Sequence, residues 1–223
     1  MMFAGETLRV ALVTVHMGLA DVPRALTRDR VFGTIMLLEQ HLRGQLGIAR
    51  PRIRVLGLNP HAGEHGLFGD EEERIIVPAI RRAQRKGIDV NGPVAPDTAF
   101  IRANHNQRFG FDAAVAMYHD QGLIALKTLE FDRAVNVTLG LPFIRTSPDH
   151  GTAYDIAGHN KANPTSMVAA IEYAEKSARG VARGLGGKPL RPVRQVRRTA
   201  SAAKGSAESM SAVRHDRYSA GVK

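Results

Sequence analysis

The chain has 223 residues, 43% of them hydrophobic, enough for one large domain or two small ones around a real core. It contains no cysteine, which excludes disulfides, thiol catalysis and thiolate metal sites, so a transition metal would have to be held by His, Asp or Glu. The net charge of +10 sits at one end: residues 1–175 carry 19 basic and 19 acidic side chains, residues 176–223 carry 12 and 2, and the body lacks the basic footprint of a folded nucleic-acid-binding domain.

Leu8 to Val15 is a β-branched apolar run of strand length that ends at His16. Glu6 and Arg9 interrupt the apolar N-terminal stretch before it reaches bilayer length, so a soluble, cytoplasmic protein with no membrane partner is expected. Thr27 reads as the N-cap of a helix that keeps Val31, Ile35, Leu38, Leu42 and Leu46 on one face and closes at Gly47. Arg52 to Leu58 is a second strand candidate, followed by Asn59, Pro60, His61 and a glycine-bearing loop. Asp70 with Glu73 resembles a capping box for a helix that runs through Lys86 and stops at Gly87.

Residues 88–110, punctuated by Gly92, Pro93 and Pro96, read as extended or loop. Phe111 to Met117 is a third apolar run, ending at Tyr118, His119 and Asp120; Leu123 to Leu126 and Ala134 to Leu139 read as two further strands. Pro164 opens a helix with Met167, Ile171 and Ala174 on one face, fading near Gly180. Beyond it the composition turns to Gly, Ser, Ala, Arg and Lys, which divides the chain into an α/β region, residues 1–180, and a basic tail, residues 181–223, expected to be disordered.

Apolar runs that each end in a ligand-type residue are what a parallel α/β sheet shows where its strands stop and its site begins. Were the runs before His16, His61 and His119 parallel neighbours, the three imidazoles could converge as an open metal site; the alternative for each is a hydrogen-bonded loop residue. Lys127, Asn136 and Arg145 are candidates for an anionic substrate, or, for the two cations, ordinary solvated side chains. The turn His150, Gly151, Thr152, Ala153 and the Asn163-Pro164 pair could wrap a nucleotide through backbone donors, or could be a tight turn before a helix. No GxGxxG follows a strand, so a dinucleotide would not bind by the usual Rossmann fingerprint.

Four segments, NPHAGE at 59–64, MYHDQG at 117–122, VNVTLGLPFIRTS at 135–147 and DHGTAYDIAG at 149–158, resemble the motifs of the 4-hydroxythreonine-4-phosphate dehydrogenase family of vitamin B6 biosynthesis. The resemblance runs from about Met1 to Glu175. It implies an α/β/α sandwich like that of isocitrate and isopropylmalate dehydrogenases, and a homodimer with its active site at the subunit interface. It also implies a divalent metal (Zn, Mg or Co) on His16, His61 and His119, two of them (His16 and His61) from one subunit and His119 from its partner. The same resemblance implies a phosphorylated substrate on Lys127, Asn136 and Arg145, and NAD or NADP near His150, Gly151, Thr152, Ala153 and Asn163. It names no general base. The family extends further at its N-terminus, so the opening MMFAG is expected to correspond to an interior stretch, with apolar surface left exposed.

Two small departures are His65, where the family has a small or amide residue, and HNKANP, a less glycine-rich nucleotide-side loop. Alternatives to the dehydrogenase are a paralogue that oxidises 4-phospho-erythronate or threonate, and a non-catalytic remnant. A nucleic-acid role for the basic tail is the weakest reading, since charge without aromatic side chains is only an electrostatic footprint.

Overall fold

The structure, a computed structural model, describes residues 1–101, 109–149 and 154–184. Among these, seven strands form one mixed sheet: β1 (Met2–Ala4), β2 (Arg9–Leu12), β3 (Ile53–Leu56), β4 (Val90–Val94), β5 (Ala113–Ala116), β6 (Val135–Val137) and β7 (Thr146–Pro148). Their order is β4-β3-β5-β2-β1-β6-β7. The runs that precede His16, His61 and His119 are β2, β3 and β5, and β5 pairs in parallel with both of the others. β1 is antiparallel to β2 and to β6. Two reversals restore direction, so the carboxyl end of β6 lies on the same sheet edge as those of β2, β3 and β5.

Side chains alternate across the strands, and both faces are buried, which is why these runs read as continuous apolar stretches. Ala11, Val115 and Met117 face one core layer with Ile35, Leu38 and Leu42 of helix α2 (Arg28–Gly44) and Ile80 of α3 (Val77–Gln84). Val10, Leu12, Ala114 and Ala116 face the other, where Leu123 and Leu126 of α4 (His119–Glu130) pack. Helices on both faces of a sheet of this kind make the dehydrogenase-like α/β class expected from the motifs. Thr27 caps α2, its side chain accepting the Arg30 amide at 3.2 Å. A short helix, α1 (Val22–Ala25), precedes it. Glu130, at the end of α4, accepts the amides of Thr7 and Leu8 at 2.9 and 3.2 Å and pins the β1–β2 turn.

Four sequence expectations need correction. Leu123 to Leu126 is a turn of α4, not a strand; four apolar residues fit either period, and only the buried Leu123 and Leu126, three apart, reveal the helix. The Asp70–Glu73 capping box does not form: Asp70 pairs with Arg74 at 3.3 Å, and a π turn, Glu72–Ile76, leads into α3. In α5 (Thr165–Gly184) Met167 and Ile171 are 48% and 62% exposed, whereas Ser166, Ala170 and Ser177 are buried. That helix also runs past Gly180. The residues from 185 onward lie outside the described residues.

α2 and α5 meet at a buried polar pair. His41 Nε2 lies 2.8 Å from the Tyr173 hydroxyl and the rings stack at 5.9 Å. Burial pushes His41 down from the ordinary 6.5 to about 4, with Gln45 opposing and Arg9 adding to the shift, and burial pushes the Tyr173 phenol up. No helix among the described residues is long and apolar enough to cross a membrane.

Candidate metal and substrate site

The carboxyl ends of β2, β3 and β5 deliver His16, His61 and His119 to one edge of the sheet. His16 and His119 meet there, their ring centroids 5.4 Å apart and their planes tilted by 47°. Two imidazoles bound tetrahedrally to one zinc ion, with Zn–N near 2.1 Å, have centroids about 5 Å apart, close to the separation of this pair. His119 Nδ1 lies 2.6 Å from the Asp120 carboxylate. A carboxylate on Nδ1 would leave Nε2 free to face a metal ion, the usual arrangement around a ligating histidine.

His61 does not join them within one chain. Its ring lies 6.0 Å from that of Phe68, and among the described residues no three His, Asp or Glu side chains come together as a metal-binding group. Within one chain the rings of His16 and His119 are brought together and His61 stands apart from them. His61 opens a left-handed turn: five consecutive residues, His61 to His65, have φ between 41° and 82°. Four of them carry a Cβ, for which this region costs roughly 1–2 kcal/mol each, so the turn must be held from outside. It borders a cavity of about 270 Å³ that Glu72 and Pro93 also line.

Buried hydrogen bonds tie the three histidine-bearing ends together. Thr14, two residues before His16, donates its hydroxyl to the Met117 carbonyl at 2.7 Å. Gln121 accepts the Met117 amide at 2.7 Å and donates to the Gly57 carbonyl at 2.7 Å. Glu72, 3% exposed, accepts the amides of Leu58 and Asn59 at 2.7 and 2.8 Å. Sequence reading missed Thr14, Gln121 and Glu72. The spacing that could have signalled the last is Gly57 and Gly63, where an added Cβ would come within 3.0 and 2.7 Å of the Glu72 carboxylate oxygens.

Of the proposed substrate residues, Arg145 lies in the β6–β7 hairpin at the histidine-bearing edge, donating to Thr138 Oγ1 at 2.8 Å. Asn136 sits mid-strand in β6 opposite Phe3, and its side-chain oxygen is buried without a hydrogen-bond partner. Lys127 stands two turns along α4 from His119, about 12 Å by helical rise, and pairs with Asp149 at 3.3 Å. Asn163 accepts the Thr165 amide and hydroxyl at 3.0 and 2.7 Å at the start of α5, as a helix-entry residue does. His150, Gly151, Thr152 and Ala153 lie outside the described residues.

A 4-hydroxythreonine-4-phosphate dehydrogenase of Geobacter metallireducens is 56% identical over 189 residues, 85% of this chain and 54% of its own length. A crystal structure of the 4-hydroxythreonine-4-phosphate dehydrogenase from Klebsiella pneumoniae superposes with a TM-score of 0.70 at 44% identity, covering 79% of this chain and 53% of that one. A terephthalate 1,2-cis-dihydrodioldehydrogenase from Burkholderia xenovorans LB400 does so at 0.64 and 33% identity, covering 78% and 54%. The chain spans about half the length of the curated relatives it matches. The profile of the family described as "Pyridoxal phosphate biosynthetic protein PdxA" matches residues 1–174, a span that holds all three histidines, and so the chain belongs to the PdxA family.

Proposed function

We propose that this chain supplies the metal- and substrate-binding half of a cytoplasmic NAD- or NADP-dependent dehydrogenase acting on 4-phosphooxy-L-threonine in pyridoxal phosphate biosynthesis. The observation that carries the reading is the His16–His119 pair at the carboxyl edge of β2 and β5. Oxidation removes a hydride and a proton from the secondary alcohol; the 3-oxo acid then loses carbon dioxide and leaves 3-amino-2-oxopropyl phosphate. A divalent ion (Zn, Mg or Co) on the histidines would supply Lewis acidity toward the reacting oxygen, and a nicotinamide would supply the hydride acceptor. His16, His61 and His119, drawn from two copies of the chain, hold that position, which makes the functional unit a homodimer, and Asp120 orients the His119 ring. Arg145, with its fork at the same edge, Lys127 and Asn136 bind the phosphate-bearing substrate, and the segment His150 to Ala153 with Asn163 receives the cofactor.

A structural relative named for a different hydroxyl substrate favours a second reading, in which the same site oxidises another secondary alcohol such as 4-phospho-erythronate or threonate. A third is a chain that binds metal without turnover. The full chain, loaded in turn with Zn²⁺, Mg²⁺ and Co²⁺, is offered each substrate with NAD or NADP, and reduced cofactor is followed by absorbance. Chelator-sensitive turnover of 4-phosphooxy-L-threonine is expected. Turnover of the sugar acids alone supports the second reading, and metal binding with no turnover on any substrate supports the third.

A further inference from the structure

We propose that Glu72 is a positioning residue that holds the left-handed turn bearing His61 through the backbone amides of Leu58 and Asn59. This rests on the metal-ligand reading of His61 given above. Glu72 is a carboxylate buried to 3% exposure, and among the described residues no Lys, Arg or His pairs with it. A carboxylate so placed is expensive unless amide donors compensate it, and here they do. One oxygen takes the amides of Leu58 and Asn59, and the other takes the Asn59 side-chain amide at 2.9 Å. The Asn59 amide also reaches Glu71 at 2.8 Å.

These anchors stand directly before Pro60 and His61. On the far side the carboxylate rests against Gly63, in the middle of the turn, where no side chain fits. Glu72 thus grips the turn before and after His61. The imidazole is exposed, so its place is set by the backbone beneath it. Without the grip, residues with a Cβ relax out of the left-handed region and the ring leaves its position.

The test uses the full-length chain as wild type, E72A, E72Q, H61A and the E72A/H61A double variant. Imidazole NMR signals are recorded without metal, and Co²⁺ affinity is measured by titration. In E72A the ring signals of His61 and His65, both in the turn, are expected to move, with those of His16 and His119 unchanged. E72A and H61A should each weaken Co²⁺ binding about 10- to 100-fold, and the double variant should be no weaker than H61A. E72Q keeps a carbonyl for the two backbone amides and should recover most of the loss. Losses that multiply in the double variant, or an unmoved His61 signal, would overturn the proposal. If H61A alone leaves Co²⁺ affinity unchanged, the metal reading of His61 falls, and the ring signals decide the role of Glu72. If E72A does not fold, E72D, whose carboxylate is one methylene short of the Leu58 and Asn59 amides, takes its place; unshifted His61 signals in E72D overturn the proposal and a selective shift supports it.

Discussion

Gln121 bridges two histidine-bearing loops, its amide nitrogen donating to the Gly57 carbonyl at 2.7 Å while its oxygen accepts the Met117 amide at 2.7 Å. One side chain thereby sets the spacing between the end of β3 and the end of β5. Gln121→Ala strands a buried donor and a buried acceptor, which costs about 1–3 kcal/mol for each unsatisfied group, so chemical denaturation should show a loss on that scale. Gln121→Glu keeps the acceptor and loses the donor, and should fall between the two.

Asp120 acts on the site through His119. Asp120→Ala removes the partner of Nδ1 and frees the ring to rotate and change tautomer. Affinity for Zn²⁺, measured by competition with a chelating dye, should drop about 10- to 100-fold. Asp120→Asn retains an acceptor and should lose less. Equal affinity in all three proteins would remove Asp120 from the account.

Much of this was legible in the chain. The three apolar runs before His16, His61 and His119 read as strands, and the condition set on them, parallel pairing, holds for β5 with each of β2 and β3. Thr27 announced the start of α2 because an N-cap hydroxyl with a one-faced apolar helix behind it is a local signal. The failures were of another kind. LIAL at 123–126 is too short for its period to be read, and in α5 the buried positions are Ala and Ser, so the large apolar residues pointed to the exposed face. Glu72 was lost inside an acidic run, Asp70 to Glu73, which reads as a solvated helix start. Only tertiary contact separates the buried member from its neighbours.

His41 makes stability depend on pH. Its folded value, about 4, lies below the ordinary 6.5, so between these limits the unfolded chain binds a proton that the folded chain refuses. The His41 contribution is intact above 6.5, falls as pH drops toward 4, and then levels, for a total on the order of 3 kcal/mol. His41→Gln keeps a partner for Tyr173 and cannot titrate. Wild-type minus H41Q unfolding free energy should fall as pH drops from 6.5 to 4, and parallel profiles would contradict the assignment.

Anomalous X-ray scattering at the zinc edge, from crystals of the full chain grown with Zn²⁺, reads the ligand set directly. The expected result is one peak per chain, about 2.1 Å from a ring nitrogen each of His16, His61 and His119, drawn from two copies of the chain. A zinc peak away from the His16–His119 pair, or none at saturating zinc, would contradict the metal site on which the functional reading stands.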